Sequence, residues 1–437
     1  MSVVPPFNCS LFKKRREQVI SFLRQEHPEV KNGMIILFGG FESERYAFRQ
    51  ESSFYYLTGI VEPGAVLCSY LDGREILYLP NYGPIREKWS RVNLKPDEKS
   101  AREAGVSQIK YLGQSCGGYV FNSLFTKEKY ENLLMDIDGF LQASMIQKTQ
   151  PEFFTILDNL NSKYFTQIRL YKNLMEYFPA IANMTRDLAP LVHYLRRFKS
   201  EIEIDLIYKA VQITNMAHEA AAQVISPGRF EYELQAVIES VFTQAGAFSP
   251  AFPSIIATGE NTTVLHYMQR NQELKPQDLV VVDVGAEYGY YASDLTRTYP
   301  VDGKFNERQL EIYNAVLDTQ MYIESIAKPG MFLNNKEDPE KSLNHLAIKY
   351  LDKKGLAKYF AHSIGHFMGL DVHDVGDSTY PLGAGDIFTI EPGIYIPEEN
   401  LGVRIEDNYL MTDEGAVCLS YQLPRKAEEI EAMMKEL

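Results

Sequence analysis

Two acidic side chains of this sequence stand inside apolar segments, where a charged group is costly unless something pairs with it. Asp283 follows the run Leu279-Val-Val-Val, and Asp294 comes eleven residues later, beyond Tyr288-Gly289. Two apolar runs joined by a short turn are typical of a β-hairpin. With Tyr288 and Gly289 as its two-residue loop, we expect Asp283 and Asp294 to face each other on adjacent strands.

Facing carboxylates in a buried hairpin repel each other. Directly opposed side chains have Cβ atoms about 4.5 to 5.5 Å apart, and like charges there are destabilising. Either one aspartate carries a proton, or a bound cation lies between the two. The alternative is a turn at another position, which would leave one aspartate exposed.

Histidines are concentrated in one short stretch. Three of the eight in the chain, His362, His366 and His373, lie within twelve residues. Imidazole is a common metal ligand and titrates near neutral pH, so such a group can bind a metal, donate to an oxyanion or carry a proton. Each histidine alone is equally well explained as a hydrogen-bonded core residue.

Two glutamates also interrupt apolar runs. Glu391 lies within Phe388–Ile396, and Glu406 follows Val403-Arg404-Ile405. Alternation along a strand places Arg404 and Glu406 on the same face, which favours a Glu406 that points into a polar centre. A structural ion pair between Arg404 and Glu406 is the alternative.

Together these segments supply four carboxylates and one imidazole, from Asp283, Asp294, His366, Glu391 and Glu406. An oxygen-rich set of this kind suits a pair of divalent metal ions. Its hardness favours Mn(II), with Co(II) or Zn(II) able to replace it. We therefore expect two divalent metal ions per chain.

In these motifs the C-terminal half resembles the pita-bread metallopeptidases, which include methionine aminopeptidase, prolidase and aminopeptidase P. The five residues stand in the order and local context of that family's metal ligands. The stretch from His362 to His373, with Glu-Pro-Gly-Ile-Tyr and Val-Arg-Ile-Glu-Asp, resembles the proline-specific branch. Phe48–Gly59 looks like the creatinase-type N-terminal domain of aminopeptidase P and the larger prolidases. Ser363, where the family usually has Gly, and the twelve residues between Glu391 and Arg404, where many members have a longer loop, depart from the pattern.

The resemblance implies a division of the metal ligands. Asp283 would bind one ion, His366 and Glu391 the other, and Asp294 and Glu406 would bridge both. The family reaction is hydrolysis by water activated between the two ions.

The resemblance also implies roles beyond metal binding. Glu391 would carry the proton, His373 and His266 would stabilise the oxyanion or position the substrate, and His362 would line the proline side. Arg404 is expected to orient Glu406 or Asp294.

These roles describe a metal-dependent exopeptidase that cuts between an N-terminal residue and a following proline. A prolidase, which cleaves Xaa-Pro dipeptides, must in addition read a free proline carboxylate. The link Pro397-Glu-Glu-Asn400 offers no cation, and its glutamates would repel a carboxylate, which favours an open pocket and longer peptides. His362 could bind that carboxylate, and an arginine from elsewhere could close the pocket. A non-catalytic peptide-binding protein or a creatinase-like enzyme fits less well, because all five ligands are present.

The elements that must carry these residues fall into two parts. Apolar runs at 34–38, 65–71 and 75–79 predict strands, and periodicity at 11–26 and 127–142 predicts helices. The aromatic cluster Phe54-Tyr-Tyr56 favours a strand in the core.

A long helical pattern extends from near residue 185 to about 226, with a capping box at Ser200 and Glu203. We therefore predict an α/β (α+β) protein in which residues 1–184 form a mixed α/β, creatinase-like domain. Residues 185–437 would form the pita-bread catalytic domain.

Composition limits the partners. The chain has 437 residues, and 44 Lys and Arg against 58 Asp and Glu give a net charge of -14, which disfavours nucleic acid and anionic membranes. No apolar run is long enough to span a bilayer, no signal peptide is visible, and the four cysteines form no CxxC pair. We expect a cytoplasmic enzyme acting on Xaa-Pro peptides. We also expect a homo-oligomer, either a dimer or a tetramer.

Overall fold

The computed structural model of the protein describes residues 9–43, 47–84, 86–89, 94–116, 126–157 and 164–435. It divides into two compact units, one holding residues 6–193 and the other residues 194–437. The domain limits of 1–184 and 185–437 stay a prediction. The mixed α/β fold class is confirmed.

The first unit is built on one mixed sheet. Its strands are β1 (Asn32–Phe38), β2 (Val66–Tyr70), β3 (Glu75–Leu79), β4 (Gln108–Tyr111), β5 (Pro151–Thr155) and β6 (Thr185–Asp187). The strand order is β4-β3-β2-β1-β5-β6, with β1 antiparallel to β2 and parallel to β5. The helices are α1 (Cys9–Glu26), α2 (Ser52–Thr58), α3 (Arg86–Trp89), α4 (Glu98–Ala104), α5 (Glu131–Ile146), α6 (Phe165–Tyr177) and α7 (Ala189–Arg197), the last of which contains the division between the units. The strands predicted at 34–38, 65–71 and 75–79 and the helices predicted at 11–26 and 127–142 are confirmed, the second helix four residues further along the chain.

The aromatic cluster is not a strand, as the sequence predicted, but part of helix α2. The carboxylate of Glu51 accepts hydrogen bonds from the backbone N–H groups of Ser53 and Phe54, and Gly59 ends the helix with a left-handed φ of 66°. Phe54, Tyr55 and Tyr56 are all buried in it. Capping at both ends and burial of the three rings outweigh the strand preference of aromatic residues.

The second unit combines five helices with several small sheets. The helices are α8 (Glu201–Val224), α9 (Glu231–Gln244), α10 (Glu307–Ile326), α11 (Leu343–Asp352) and α12 (Ala427–Met433). The strands are β7 (Ser249–Pro250), β8 (Ile255–Thr258), β9 (Leu279–Val284), β10 (Ala286–Tyr288), β11 (Tyr291–Ala292), β12 (Leu295–Pro300), β13 (Ile387–Ile390), β14 (Gly393–Ile396), β15 (Leu401–Arg404), β16 (Asp407–Met411) and β17 (Ala416–Cys418). They form the sheets β11-β10-β7, β12-β9-β8, β13-β16-β17 and β14-β15.

Helix α8 supports the hairpin that carries the two aspartates. It begins with the predicted capping box, in which the Ser200 N–H donates to the Glu203 carboxylate at 2.9 Å. Further along, His218 Nε2 lies 3.1 Å from the carbonyl oxygen of Leu295, and His218 Nδ1 lies 3.0 Å from the hydroxyl of Tyr299. Burial lowers the pKa of His218 to about 3, so this imidazole is neutral and holds β12 against the helix.

The register of this hairpin differs from the prediction. The two-residue loop is Gly289-Tyr290, with left-handed φ angles of 58° and 74°, and Asp283 pairs with Thr296. Continued in the same register, Asp294 stands across from Gly285, on the same face as Asp283 but diagonal to it. Diagonal side chains are about 7 to 8 Å apart rather than directly opposed. Burial of the Tyr290 ring offsets the left-handed backbone that a non-glycine residue avoids, and this could not be inferred from the local sequence.

Two further expectations concern the chain as a whole. All four cysteines, Cys9, Cys68, Cys116 and Cys418, are free thiols. Within the described ranges, no helix combines the length and the apolar character that a membrane span requires.

The close packing of the hairpin predicts the effect of a single methyl group. A Cβ atom added at Gly285 would lie 1.8 Å from the backbone oxygen of Ser293. Gly285→Ala is therefore expected to lower the free energy of unfolding by roughly 1 to 3 kcal/mol, because the strands must separate to admit it. Gly139→Ala in α5 is the control. Its Cβ meets nothing within 4 Å, so stability should rise by about 0.5 to 1 kcal/mol. Thermal unfolding measures both, and equal effects would contradict the register described above.

Candidate active site

The five residues predicted to bind metal surround one cavity of about 140 Å³ in the second unit. Asp283 comes from β9, Asp294 from between β11 and β12, and His366 from the loop before β13. Glu391 directly follows β13, and Glu406 lies between β15 and β16. Residues more than 120 positions apart in the chain therefore meet at a single point.

Three of these side chains are in direct proximity. His366 Nε2 lies 3.4 Å from Asp294 Oδ2 and 3.5 Å from Glu391 Oε1. One potential ligand atom each from Asp294, His366 and Glu406 lie within 4.8 Å of one another. This spacing is compatible with ligation of a common cation.

The two oxygens of each buried carboxylate differ in their hydrogen bonds. In Asp283, Oδ2 accepts from Arg404 at 2.6 Å, and in Glu406, Oε2 accepts from Thr296 Oγ1 at 2.7 Å. The other oxygen of each, Asp283 Oδ1 and Glu406 Oε1, is buried and has no hydrogen-bond partner among the described residues, and the same holds for Asp294 Oδ1. A buried carboxylate oxygen without a donor is costly, and a cation removes that cost. The residues therefore fit a divalent metal site.

Proton affinities in the cavity reflect its excess of negative charge. Burial, together with the charge of Asp283, raises the pKa of Asp294 to about 7. Burial and the charge of Asp294 likewise raise the pKa of Glu406 well above its ordinary value. Burial lowers the pKa of His366, but the hydrogen bond to Asp294 and the charge of Glu391 outweigh it and raise that pKa to about 9. Protons and metal ions would therefore compete for these side chains.

Arg404 contacts a different carboxylate from the one expected. Its Nη2 donates to Asp283, whereas the sequence suggested Glu406 or Asp294 as the group it orients. The same guanidinium donates from Nη1 to the Tyr395 hydroxyl at 2.9 Å and from Nε to Thr296 Oγ1 at 3.3 Å. Arg404 therefore reaches Glu406 only through Thr296. The hairpin register explains this, because it puts Thr296 across from Asp283.

Two of the clustered histidines have fixed tautomers. The Nδ1 atom of His366 lies 3.0 Å from the carbonyl oxygen of Phe367 and donates to it, so a cation that binds this imidazole would do so at Nε2, in place of the proton that the raised pKa favours there. His362 Nδ1 likewise donates to the carbonyl oxygen of Ser363 at 2.8 Å, and its Nε2 accepts from Tyr395 at 2.9 Å. Burial lowers the pKa of His362, so this imidazole is neutral.

The remaining histidines face the cavity from its open side. His266 and His373 are exposed, and both line the cavity. The ring centroid of His373 lies 4.2 Å from that of His366. His362 is not among the lining residues, but its Nδ1 lies 3.8 Å from Glu391 Oε2. The structure thus brings all nine predicted site residues to one region.

Some contributors were missed by sequence reasoning. Tyr395 connects His362 with Arg404, and Thr389 Oγ1 donates to Glu391 at 3.1 Å. Tyr395 lies in the Glu-Pro-Gly-Ile-Tyr motif, so the signal was present without an assigned role. The apolar part of the cavity wall had no such signal; it comprises Phe252, Pro253, Ile255, Met268 and Val372.

Comparisons with known proteins identify the family. The model of metallopeptidase family M24 matches residues 205–413, and that of the aminopeptidase P N-terminal domain matches residues 12–116. The chain is 32% identical to an Xaa-Pro aminopeptidase of Haemophilus influenzae over 97% of its own length and 96% of the relative's. It is 38% identical to an Xaa-Pro dipeptidase of Pyrococcus furiosus, over 62% of this chain and 76% of that protein.

Solved structures extend the similarity to the whole fold. A variant of Escherichia coli aminopeptidase P in complex with substrate superposes with a TM-score of 0.81 at 27% identity, covering 98% of both chains. A zinc-substituted form of E. coli aminopeptidase P in complex with product gives a TM-score of 0.79, also at 27% identity and 98% coverage of both.

The raised pKa of Asp294 predicts how pH affects the metal-free protein. A carboxyl group whose pKa is higher in the folded than in the unfolded state stabilises the fold at low pH, and this contribution is lost as pH rises from the ordinary pKa of 3.8 to about 7. Asp294→Asn, which mimics the protonated form, should therefore exceed the metal-free wild type in unfolding temperature by more at pH 8 than at pH 5.

The control for this comparison is the same pair of proteins with Mn(II) added at pH 8. The metal should stabilise the wild type, because it replaces the missing proton, and should have little effect on Asp294→Asn. A metal-free wild type that is as stable as Asp294→Asn at pH 8 would contradict the charge balance described above.

Proposed function

This chain belongs to the aminopeptidase P family of metallopeptidases, and from that premise we propose that it removes the N-terminal residue from peptides whose second residue is proline. One observation carries the proposal. Three buried carboxylates, each with one oxygen that has no donor among the described residues, surround a cavity beside His366 and Glu391. Such a centre serves metal-assisted hydrolysis rather than binding alone.

We further propose that two divalent ions occupy the centre, with Mn(II) preferred and Co(II) or Zn(II) as substitutes. Asp283 would hold one ion, His366 and Glu391 the other, and Asp294 and Glu406 would bridge them. Bound there, the ions would supply Lewis acidity to the scissile carbonyl group and to a water molecule.

Glu391 is placed to move the proton that the reaction requires. The nitrogen of an Xaa-Pro bond carries no hydrogen, so the leaving proline needs a proton from elsewhere. The Glu391 side chain is 16% exposed, its Oε1 accepts from Thr389, and it borders the cavity. It can therefore take a proton from water and deliver it to the proline nitrogen.

The histidines divide the remaining tasks. His373 and His266 are exposed on the cavity wall, where an imidazole N–H can donate to the developing oxyanion or orient the peptide. His362 is neutral and hydrogen-bonded to Tyr395, and its side chain is 18% exposed beside Glu391. We assign it to the proline side, as the sequence suggested. Arg404 holds Asp283 and Tyr395 in position from behind.

An Xaa-Pro dipeptidase is the second candidate, because the dipeptidase relative is more similar over the part it shares. The acidic link also repels a carboxylate less than its sequence suggests. Arg308 donates to both oxygens of Glu399 at 2.8 Å, so the charge of Glu399 is compensated and would repel a product carboxylate less than the sequence suggested. Glu398 still lies in this link, and Arg308 is engaged by Glu399 and Glu311. An open pocket for longer peptides remains our proposal.

We also propose a cytoplasmic location, supported by four free thiols, two of them buried. Assembly into a dimer or tetramer stays a prediction from the family resemblance.

Substrate length tests the proposed function directly. The value of kcat/KM should be at least tenfold higher for an Xaa-Pro-Xaa tripeptide than for the Xaa-Pro dipeptide with the same first residue, in the presence of Mn(II). Tenfold corresponds to about 1.4 kcal/mol of transition-state binding. The control is the same tripeptide with alanine in place of proline, which should be cleaved poorly. A tenfold preference for the dipeptide would instead identify an Xaa-Pro dipeptidase.

Metal content distinguishes a histidine that binds metal, as proposed for His366, from one that contacts the substrate, as proposed for His373. The Mn(II)-loaded wild type should hold two ions per chain, and His366→Ala should lose at least one. His373→Ala should retain both ions yet lose roughly 100- to 1,000-fold in kcat, as when one donor to an oxyanion is removed. Elemental analysis and steady-state kinetics measure the two effects. Equal metal loss in both variants would make His373 a ligand and overturn this division.

A further inference from the structure

A buried cluster of four charges lies at the base of the loop that carries His373. It consists of Arg196 at the end of α7, Lys199 two residues before α8, and Asp371 and Asp374 from the loop. The side chains of Arg196, Lys199 and Asp374 are each only 1% exposed, and that of Asp371 is 18% exposed. Two cations therefore balance two anions within the second unit.

The geometry ties both ends of a short segment to one guanidinium. Arg196 Nη2 donates to Asp371 Oδ2 at 3.0 Å and to Asp374 Oδ1 at 2.5 Å. Lys199 Nζ lies 3.4 Å from the other oxygen of Asp374. Between the two aspartates stand Val372 and His373, and both line the cavity.

The segment lies outside the regular secondary structure. Residues 369–373 form bends rather than a helix or a strand. Backbone hydrogen bonds join Gly369 to Ala292 and Asp374 to Phe367, at its two ends. A Cβ atom at Gly369 would lie 2.0 Å from Asp374 Oδ2, so the carboxylate is packed directly on the loop backbone. Buried ion pairs of this kind specify one conformation of the groups they join.

We propose that Arg196, assisted by Lys199, is a positioning residue that fixes Val372 and His373 at the cavity, an inference that rests on the proposed function of His373. Arg196 touches neither the cavity nor any of the five proposed ligands in the contacts described above. It acts through Asp371 and Asp374, one on each side of the two lining residues. Both hydrogen bonds come from Nη2, which the planar guanidinium holds in a fixed orientation between the two carboxylates, whereas a lysine offers a point charge on a flexible stem.

The neighbouring Arg197 provides a matched control. It is also buried, and it donates to both oxygens of Asp386, at 2.7 Å from Nε and 2.6 Å from Nη2. Asp386 lies at the start of β13 and does not line the cavity. The guanidinium of Arg197 also lies over the ring of Phe367, with 4.9 Å between its carbon and the ring centroid, but its ion pair is with Asp386 and not with Asp371 or Asp374. Arg197→Lys keeps a cation at this position, so loss of the pair with Asp386 should affect stability while the two anchors of the loop that carries His373 stay in place.

The test compares Arg196→Lys with Arg197→Lys, each in the wild type and in the His373→Ala background, with the tripeptide as substrate. We expect Arg196→Lys to lower kcat about tenfold with KM changed less than twofold, because the interaction it supports is made in the transition state. Arg196→Gln, which removes the charge as well, should lower kcat further. In the His373→Ala background Arg196→Lys should have no additional effect, since the two residues act on one step. Arg197→Lys should leave kcat unchanged in both backgrounds.

Two results would overturn the proposal. One is a fall in kcat by the same factor in both backgrounds, which would mean that Arg196 acts independently of His373. The other is loss of bound metal in Arg196→Lys, which would place its effect at the metal centre. If Arg196→Lys does not fold, Asp371→Asn removes one of the two anchors at a partly exposed position and is subject to the same cycle.

A second readout does not depend on turnover. In the Zn(II)-loaded protein labelled at histidine, the ring resonance of His373 is the one absent from His373→Ala. It should shift in Arg196→Lys and not in Arg197→Lys, while that of His27 in the first unit stays in place. An unmoved His373 resonance would refute the positioning role even if the enzyme prefers other substrates. A shifted resonance in an enzyme inactive on Xaa-Pro peptides would refute only the proposed function.

Discussion

Three buried carboxylate oxygens face one cavity and have no donor in the part of the chain that the structure describes. They are the constraint around which the second unit is arranged. Asp283, Asp294 and Glu406 each keep one such oxygen. The second oxygens of Asp283 and Glu406 are secured from behind, by Arg404 and Thr296 respectively, whereas that of Asp294 lies 3.4 Å from Nε2 of His366, which itself lines the cavity. A carboxylate held on one side and unsatisfied on the other is pre-organised for a cation, because its orientation is already fixed before the cation binds.

The chain uses its own cations for support rather than for neutralising this centre. Arg297 is fully buried, donates to Asp407 and also binds the backbone oxygens of Thr296 and Glu406. Behind the ligands, the charge of Arg297 is therefore paired with that of Asp407, and these contacts hold the strands β12 and β16 together. On the cavity side of the ligands, the negative charge of the carboxylates exceeds the positive charge that Arg404 and His366 supply. This excess of negative charge raises the proton affinity of Asp294 and Glu406 and favours the binding of a divalent cation.

Sequence patterns located the residues of the centre but not all of their contacts. Acidic residues within apolar strands were detectable because burial of an unpaired charge is so costly, and Asp283 and Glu406 are in fact buried. The turn was predicted one residue too early, at Tyr288-Gly289 instead of Gly289-Tyr290. The local sequence favours glycine at the second turn position, but Tyr290 occupies that position because its ring is buried. The contacts of Arg404 and Arg196 were out of reach for another reason. Their partners lie 121 to 178 residues away, and only the folded chain determines which carboxylate each one meets.

Selection between dipeptides and longer peptides cannot reside in the metal centre itself. The aminopeptidase and dipeptidase relatives both match this chain, and the proposed chemistry at Glu391 and His373 serves either substrate. What differs is whether a charged carboxylate or a further peptide bond follows the proline. That distinction must be made by groups outside the ligand set, and under the proposal above the acidic link at Glu398 and Glu399 is one of them. Arg308 pairs with Glu399 in an ion pair in which both side chains are about 40% exposed, at 42% and 39%. Exposed ion pairs are weak and easily altered, so the charge of this link can change while the buried centre stays the same.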